Sequence, residues 1–344
     1  MPDIEIRREG RAGRITLHRP QALNALTRRM CREIDDALTA WRDEDGVHLV
    51  VIDAEGTRAF CAGGDIARIH EAARAGDFDA GRAFWADEYR MNARLKTFPK
   101  PVVALMQGFV MGGGVGLGCH ASHRVVGDTT RMAMPECGIG LIPDVGGTLL
   151  LSAAPGRLGE YLGLTGARMS AGDAITAGFA DYYLPETDWP TLLRTLCDAG
   201  GTAALPAREP PAPVLPQAAI DRVFSAESVS AIATRLESES GEVASGARKA
   251  LGEGSPLSMA CTLAAIRAQR GDDDIHAALR REFRFTWRSM DKGDFLEGVR
   301  ARLIDKDRAP RWRHAGPEDV TDSEVAAMLA PLGEDELTFE RATS

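Results

Sequence analysis

The chain has 344 residues, 44% of them hydrophobic and 26% charged, a balance that buries a core and excludes a disordered or fibrous protein. Acidic side chains outnumber basic ones by 50 to 41 for a net charge of −9, so no basic field is available to hold a phosphate backbone, which argues against nucleic acid as a partner. Six cysteines at 31, 61, 119, 137, 197 and 261 form no C-x-x-C pair, and the opening MPDIEIRREG carries three acids and no apolar run; both point to a reducing, cytoplasmic setting, and lysine, only five of the 41 cations, fits a bacterial source.

Short β-branched runs come first: Ile4-Glu5-Ile6, then Arg14 to His18 with period-2 alternation, both reading as strands. Met30, Ile34, Leu38 and Trp41 then share one face of a helix within 27–44, and Val47 to Asp53 and Pro101 to Met106 return to strand. The uncharged stretch Pro101 to Ser122 is long enough to span a bilayer, but six glycines, Gln107 and His120 break it, so no membrane span is expected. His123 to Gly127 reads as another strand, and Ser170-x-x-Asp173 as a capping box opening a short helix. Prolines 206, 210, 211, 213 and 216 stiffen 203–217, which predicts a core over 1–202, a linker over 203–217 and a helical region over 218–344. In that last region Ile275, Leu279, Phe283, Trp287 and Met290 form a packing face, with charges opposite.

Three stretches hold candidate chemistry. Phe60 to Ile66 (FCAGGDI) and Met111 to Gly118 (MGGGVGLG) each follow a strand, and their glycines allow either a plain turn or close backbone approach to a ligand. Gly116-x-Gly118-x-x-Ala121, with Glu136 twenty residues beyond Gly116, also matches a short dinucleotide fingerprint, but Gly116 lies ten residues past Met106, too far from the strand. The third stretch, between Arg131 and Arg157, has only two charged side chains, Glu136 and Asp144, each following a proline. Two carboxylates in an apolar segment face desolvation and mutual repulsion, which tunes an acid or base; the plainer reading is a pair of loop carboxylates capping helices or pairing with arginine. His120 and His123 lack a third ligand at a metal-binding interval, and Cys61 and Cys137 lack a fixed histidine partner, so neither a metal site nor a thiol nucleophile is expected.

Taken in order, LHRPQALNAL at 17–26, FCAGGDI at 60–66, Asp87-Glu88-Tyr89, GFVMGGGVGLG at 108–118, MPECGIGLIPDVGG at 134–147 and GVRARLIDKDRAPRW at 298–312 resemble the crotonase (enoyl-CoA hydratase/isomerase) superfamily, and within it the group that hydrolyses 3-hydroxyisobutyryl-CoA. The resemblance implies an α/β fold, a spiral of ββα units followed by a helical C-terminal region. It implies that the Gly64 and Gly113 N–H groups hold the thioester oxygen, that Gln21, Ala22, Leu23, Ala62, Asp65 and Ile66 cradle CoA, and that Glu88 faces the acyl group. Hydratases of this kind carry a glutamate where Gly116 stands here, whereas Asp144 is the hydrolase pattern, so the resemblance assigns the chemistry to Glu136 and Asp144. The expected activity is hydrolysis of a short 3-hydroxyacyl-CoA in valine breakdown, without metal or redox cofactor, CoA being part of the substrate; homo-oligomers are common in the superfamily, and the sequence leaves open whether one forms here. Hydration or isomerisation of an enoyl-CoA, and acyl-CoA binding without turnover, are the alternatives.

Overall fold

The computed structural model describes residues 2–205 and 208–340. Pro206, one of the linker prolines, and the last four residues of the expected helical region lie outside the described residues. Contacts divide the chain into two units, one of Met1–Gly64, Asp87–Ala133 and Arg168–Val214, the other of Asp65–Ala86, Met134–Ala167 and Leu215–Ser344. The last break falls inside the proline-rich stretch. The others differ from a linear order of core, linker and helices: 65–86 and 134–167 find their apolar partners among the C-terminal helices, and Trp85 meets Phe295 edge-on with ring centroids 5.5 Å apart.

Among the described residues the first unit holds nine strands: β1 (Ile4–Glu9), β2 (Ala12–Leu17), β3 (Leu49–Ala54), β4 (Ala59–Cys61), β5 (Val102–Met106), β6 (Phe109–Met111), β7 (His123–Val126), β8 (Arg131–Ala133) and β9 (Tyr182–Tyr183). They make a six-stranded sheet in the order β1-β2-β3-β5-β7-β9 and a three-stranded sheet in the order β4-β6-β8. Strands β3, β5 and β7 lie in the larger sheet, and the strand after each lies in the smaller one, so the chain spirals between two sheets. This is the crotonase-like α/β spiral. Strands β1 and β2 pair antiparallel, with Ile6 opposite Ile15; Ile15, Ile52 and Ala104 then continue one parallel row. Strand β5 is buried throughout, as expected of a strand covered on both faces. Val51, Val103, Leu105 and Val125 pack under the helix Trp189–Ala199 through Trp189, Leu192 and Leu196.

The helix Arg28–Trp41 buries the expected Met30, Ile34, Leu38 and Trp41, and Thr27 caps it by accepting from Met30 N at 3.2 Å. Ser170 and Asp173 form the expected capping box. The stretch 101–122 is β5, β6 and the short helix Gly113–Cys119, and no helix among the described residues is long and apolar enough to cross a membrane.

The second unit is helical. Ile275, Leu279, Phe283 and Met290 are buried along the helix Ile275–Ser289, while half-buried Trp287 lies under the Arg82 guanidinium, 4.1 Å from its ring centroid. One charge departs from the expected outer face: Glu282 is fully buried. Its Oε2 accepts from Gly146 N at 2.7 Å, and its Oε1 accepts from Thr148 N at 2.9 Å and from the Thr148 hydroxyl. Burial pushes its carboxyl up to about 7 against these donors, with the nearby Asp144 charge adding to the rise.

A carboxyl that holds its proton more tightly when folded stabilises the native state most below its unfolded value of 4.5, and that contribution is lost as pH rises through about 7. Thermal unfolding followed from about pH 5 to 8 should therefore show a decline in stability that the Glu282→Gln protein lacks. Equal slopes in the two proteins would show that Glu282 does not titrate in this range.

Candidate active site

In the first unit the loop before the helix Arg28–Trp41 is shaped by Asn24. Leu23 and Asn24 both take positive φ, 51° and 55°, a region in which asparagine is tolerated better than most side chains. The buried Asn24 side chain accepts from Arg19 N at 2.8 Å and donates to the carbonyls of Glu55 and Ala59 at 2.9 and 3.0 Å. The loop therefore lies along the end of β4. Ala62 N donates to Leu23 O at 3.0 Å, and Leu26 N to Gly63 O at 2.9 Å. Of the expected CoA-cradling residues, Gln21, Ala22, Leu23 and Ala62 are gathered on these two adjoining segments, with Gln21 exposed.

Strand β6 runs into Gly112, at φ 49° and ψ −118°, and then into the helix beginning at Gly113. The first N–H groups of a helix have no intrahelical acceptor, and Gly112 has no side chain to cap them. A Cβ at Gly114 would collide with Cys61 O; one at Gly113 would stand 3.3 Å from Gly64 N and 2.5 Å from Glu88 Oε1. The structure thus brings Gly64, Gly113 and Glu88 together, leaving room for backbone only. The neighbouring Asp87 is committed elsewhere, to Arg28 Nε at 2.6 Å and Arg90 Nη1 at 3.2 Å. Gly116 and Gly118 lie inside the helix, so the dinucleotide pattern has no strand-to-helix turn to form.

In the second unit, Asp65 precedes the helix Ile66–Arg74, which begins at Ile66. Glu136 opens a 3-10 turn, Glu136–Ile139, and is 5% exposed, as is Asp144. The turn is fixed from behind: Ser255 N donates to Cys137 O at 2.9 Å, and Cys137 Sγ lies 3.3 Å from Thr262 Oγ1. Gly140, at φ 75°, passes against the Asp294 backbone, where a Cβ has no room. Asp144 is followed by two residues of positive φ, Val145 at 56° and Gly146 at 78°, and its carbonyl accepts from Gly147 N at 2.6 Å. Two desolvated carboxylates on one constrained segment can act as base or nucleophile and as a substrate-orienting group.

The thiols beside these segments are inert: burial pushes Cys61 and Cys137 each up to about 12. His120 is buried and His123 stacks on Tyr182 at 6.1 Å. Among the described residues no three His, Cys, Asp or Glu side chains are grouped as a metal site requires. Glu282, Ser255 and Thr262 support the carboxylate segment without any sequence signal; each lies more than a hundred residues away from the groups it holds.

The model of the enoyl-CoA hydratase/isomerase family matches residues 12–329. A Gallus gallus protein named 3-hydroxyisobutyryl-CoA hydrolase, mitochondrial, is 36% identical over 354 residues, covering 97% of this chain and 90% of its own. Arabidopsis thaliana 3-hydroxyisobutyryl-CoA hydrolase 1 is 37% identical over 331 residues, covering 90% of this chain and 87% of its own. Among solved structures, a crystal structure titled as an enoyl-CoA hydratase from Rhodobacter sphaeroides 2.4.1 superposes with a TM-score of 0.96 at 56% identity, covering 98% of this chain and 100% of that one. With a matching family model over most of its length and relatives of this identity and coverage, the chain belongs to the enoyl-CoA hydratase/isomerase family, the crotonase superfamily.

Proposed function

We propose that this chain is an acyl-CoA thioester hydrolase that splits 3-hydroxyisobutyryl-CoA into 3-hydroxyisobutyrate and CoA, a step of valine breakdown, and that it works in the cytoplasm. The observation that carries the reading is the pair of buried carboxylates, Glu136 and Asp144, in one apolar segment, while Gly116 stands where a hydratase would need its second glutamate. The relatives bearing the hydrolase name support it over nine-tenths or more of this chain.

In this reading the N–H groups of Gly64 and Gly113 donate to the thioester oxygen. Donors aimed at a developing oxyanion are worth roughly 10²–10³ in rate each. Gln21, Ala22, Leu23, Ala62, Asp65 and Ile66 hold CoA, largely through backbone, and Glu88 faces the acyl group. Glu136 either takes a proton from the attacking water or attacks the carbonyl carbon itself to form an anhydride that water then opens. The balance is the same by both routes: the carbon–sulfur bond breaks, water's oxygen joins the acyl carbon, and the CoA sulfur leaves with a proton. Asp144 orients the substrate hydroxyl or the water. No step calls for a metal or a redox cofactor.

Purified protein should release CoA from 3-hydroxyisobutyryl-CoA at a rate indifferent to EDTA; faster hydration of crotonyl-CoA would overturn the hydrolase reading in favour of a hydratase. The Glu136→Gln protein should stay folded and bind acyl-CoA while turnover drops by roughly 10² or more, since the amide keeps the shape but offers neither base nor nucleophile. Wild-type turnover in that variant would remove Glu136 from the mechanism. CoA at 100 times its dissociation constant should protect against unfolding by about 2.7 kcal/mol, and NAD should not. Melting shifts with NAD alone would contradict the assignment of the glycine segments.

A further inference from the structure

The helix Gly147–Ala153 begins directly after the turn that carries Asp144, and its N-cap, Gly146, has no side chain to accept from the first amides. The acceptor comes instead from Glu282, on a helix 136 residues further along the chain. Its two carboxylate oxygens take the N–H groups of Gly146 and Thr148 and the Thr148 hydroxyl, three donors from one turn. Between Asp144 and Gly146 sits Val145 at φ 56°. A β-branched residue persists in that left-handed region only where its surroundings over-determine it. A serine or aspartate at position 146 would cap the helix locally, but Gly146 also sits at a positive φ of 78°, so the turn draws its cap from outside itself. Burying a carboxylate completely is costly, and this one is spent on Gly146 and Thr148, one and three residues past Val145.

We propose that Glu282 is a positioning residue for the hydrolysis, fixing the Asp144 carboxyl by clamping the strained turn Asp144–Thr148 from the helix Ile275–Ser289. The inference rests on the reading that Asp144 orients substrate or water. Without the clamp Val145 relaxes out of the left-handed region and swings Asp144, its immediate neighbour, away from its working position. A displacement of about 1 Å in such a group can cost 10²-fold in rate.

The experiment compares Asp144→Asn, Glu282→Ala, Glu282→Gln and the Asp144→Asn/Glu282→Ala double variant in steady-state hydrolysis of 3-hydroxyisobutyryl-CoA, with thermal unfolding run on each. Glu282→Ala should lower kcat by roughly 10- to 100-fold with KM for the thioester nearly unchanged, because the CoA-holding segments are untouched. Glu282→Gln, which keeps an oxygen for Thr148 but turns an NH2 towards Gly146 N–H, should recover part of that loss; it also carries the test if the alanine variant does not fold. In the Asp144→Asn background, Glu282→Ala should add little, since both changes remove one interaction. Wild-type kcat in folded Glu282 variants beside an impaired Asp144→Asn protein would overturn this inference alone, as would independent, multiplying effects in the double variant. Wild-type kcat in Asp144→Asn would overturn the role of Asp144 and this inference with it.

Discussion

At Gly114 a Cβ atom would collide with the carbonyl oxygen of Cys61, and at Gly108 with that of Arg58, so β4 and β6 approach each other with backbone alone at these points. The two strands pair in parallel, Ala59 with Phe109 and Cys61 with Val110, and the register slips by one residue between Ala59 and Cys61. That slip and the absent side chains let the Gly63–Gly64 backbone run beside Gly112–Gly114. The same approach brings the loop of Gln21 to Leu23 alongside, because Ala62 donates to Leu23 and Leu26 to Gly63. Glycine gives up more conformational freedom on folding than any other residue. Here that cost lets the backbones of Gly64 and Gly113 lie side by side where a side chain would not fit.

The second unit meets a different constraint. The segment 134–147 is apolar enough to be buried but carries two carboxylates, and its prolines and glycines prevent it from folding into a long helix that would satisfy its own backbone. Helices from the C-terminal region supply what it lacks. The helix Pro256–Gln269, with Ser255 as its N-cap, holds the Cys137 carbonyl and thiol; the helix Ile275–Ser289 sends Glu282 to the amides after Asp144. Each carboxylate thus sits on a turn whose shape is set by a separate helix. The buried Asp294 joins the same framework, accepting from Ser255 Oγ at 2.6 Å and from Arg313 N at 3.0 Å. A helical region that looks like plain packing in its apolar stripe is also the hydrogen-bonding frame for the segment that carries Glu136 and Asp144.

Much was legible locally. Short β-branched runs, with period-2 alternation in β2, marked β1, β2, β3, β5 and β7, and a 3.6-residue stripe marked the helix Arg28–Trp41, because burial imprints itself on neighbouring positions. The capping box at Ser170 was equally plain, being a contact across three residues. Strands β4, β6 and β8 were not predicted, since three residues hold too little pattern, and the helix Gly113–Cys119 read as a turn because glycine is a poor helix former. The breaks that assign 65–86 and 134–167 to the helical unit could not be read either; composition changes sharply only in the proline-rich stretch, where the break after Val214 does fall.

By itself the sequence determined the chemistry on offer: glycine clusters that allow close backbone approach, two carboxylates in an apolar segment, and thiols without a histidine at a fixed spacing. Those are statements of residue type and short spacing, and they survive any arrangement of the chain. Only the tertiary structure decided that Gly113 lies beside Gly64 and Glu88, that Asp87 pairs with Arg28 and Arg90, and that Glu282 leaves the charged face of its helix for the Asp144 turn. The physical reason is distance along the chain. Gly146 and Glu282 are 136 residues apart and Cys137 and Thr262 125, and no local pattern encodes a hydrogen bond whose partner is chosen by how separate helices pack.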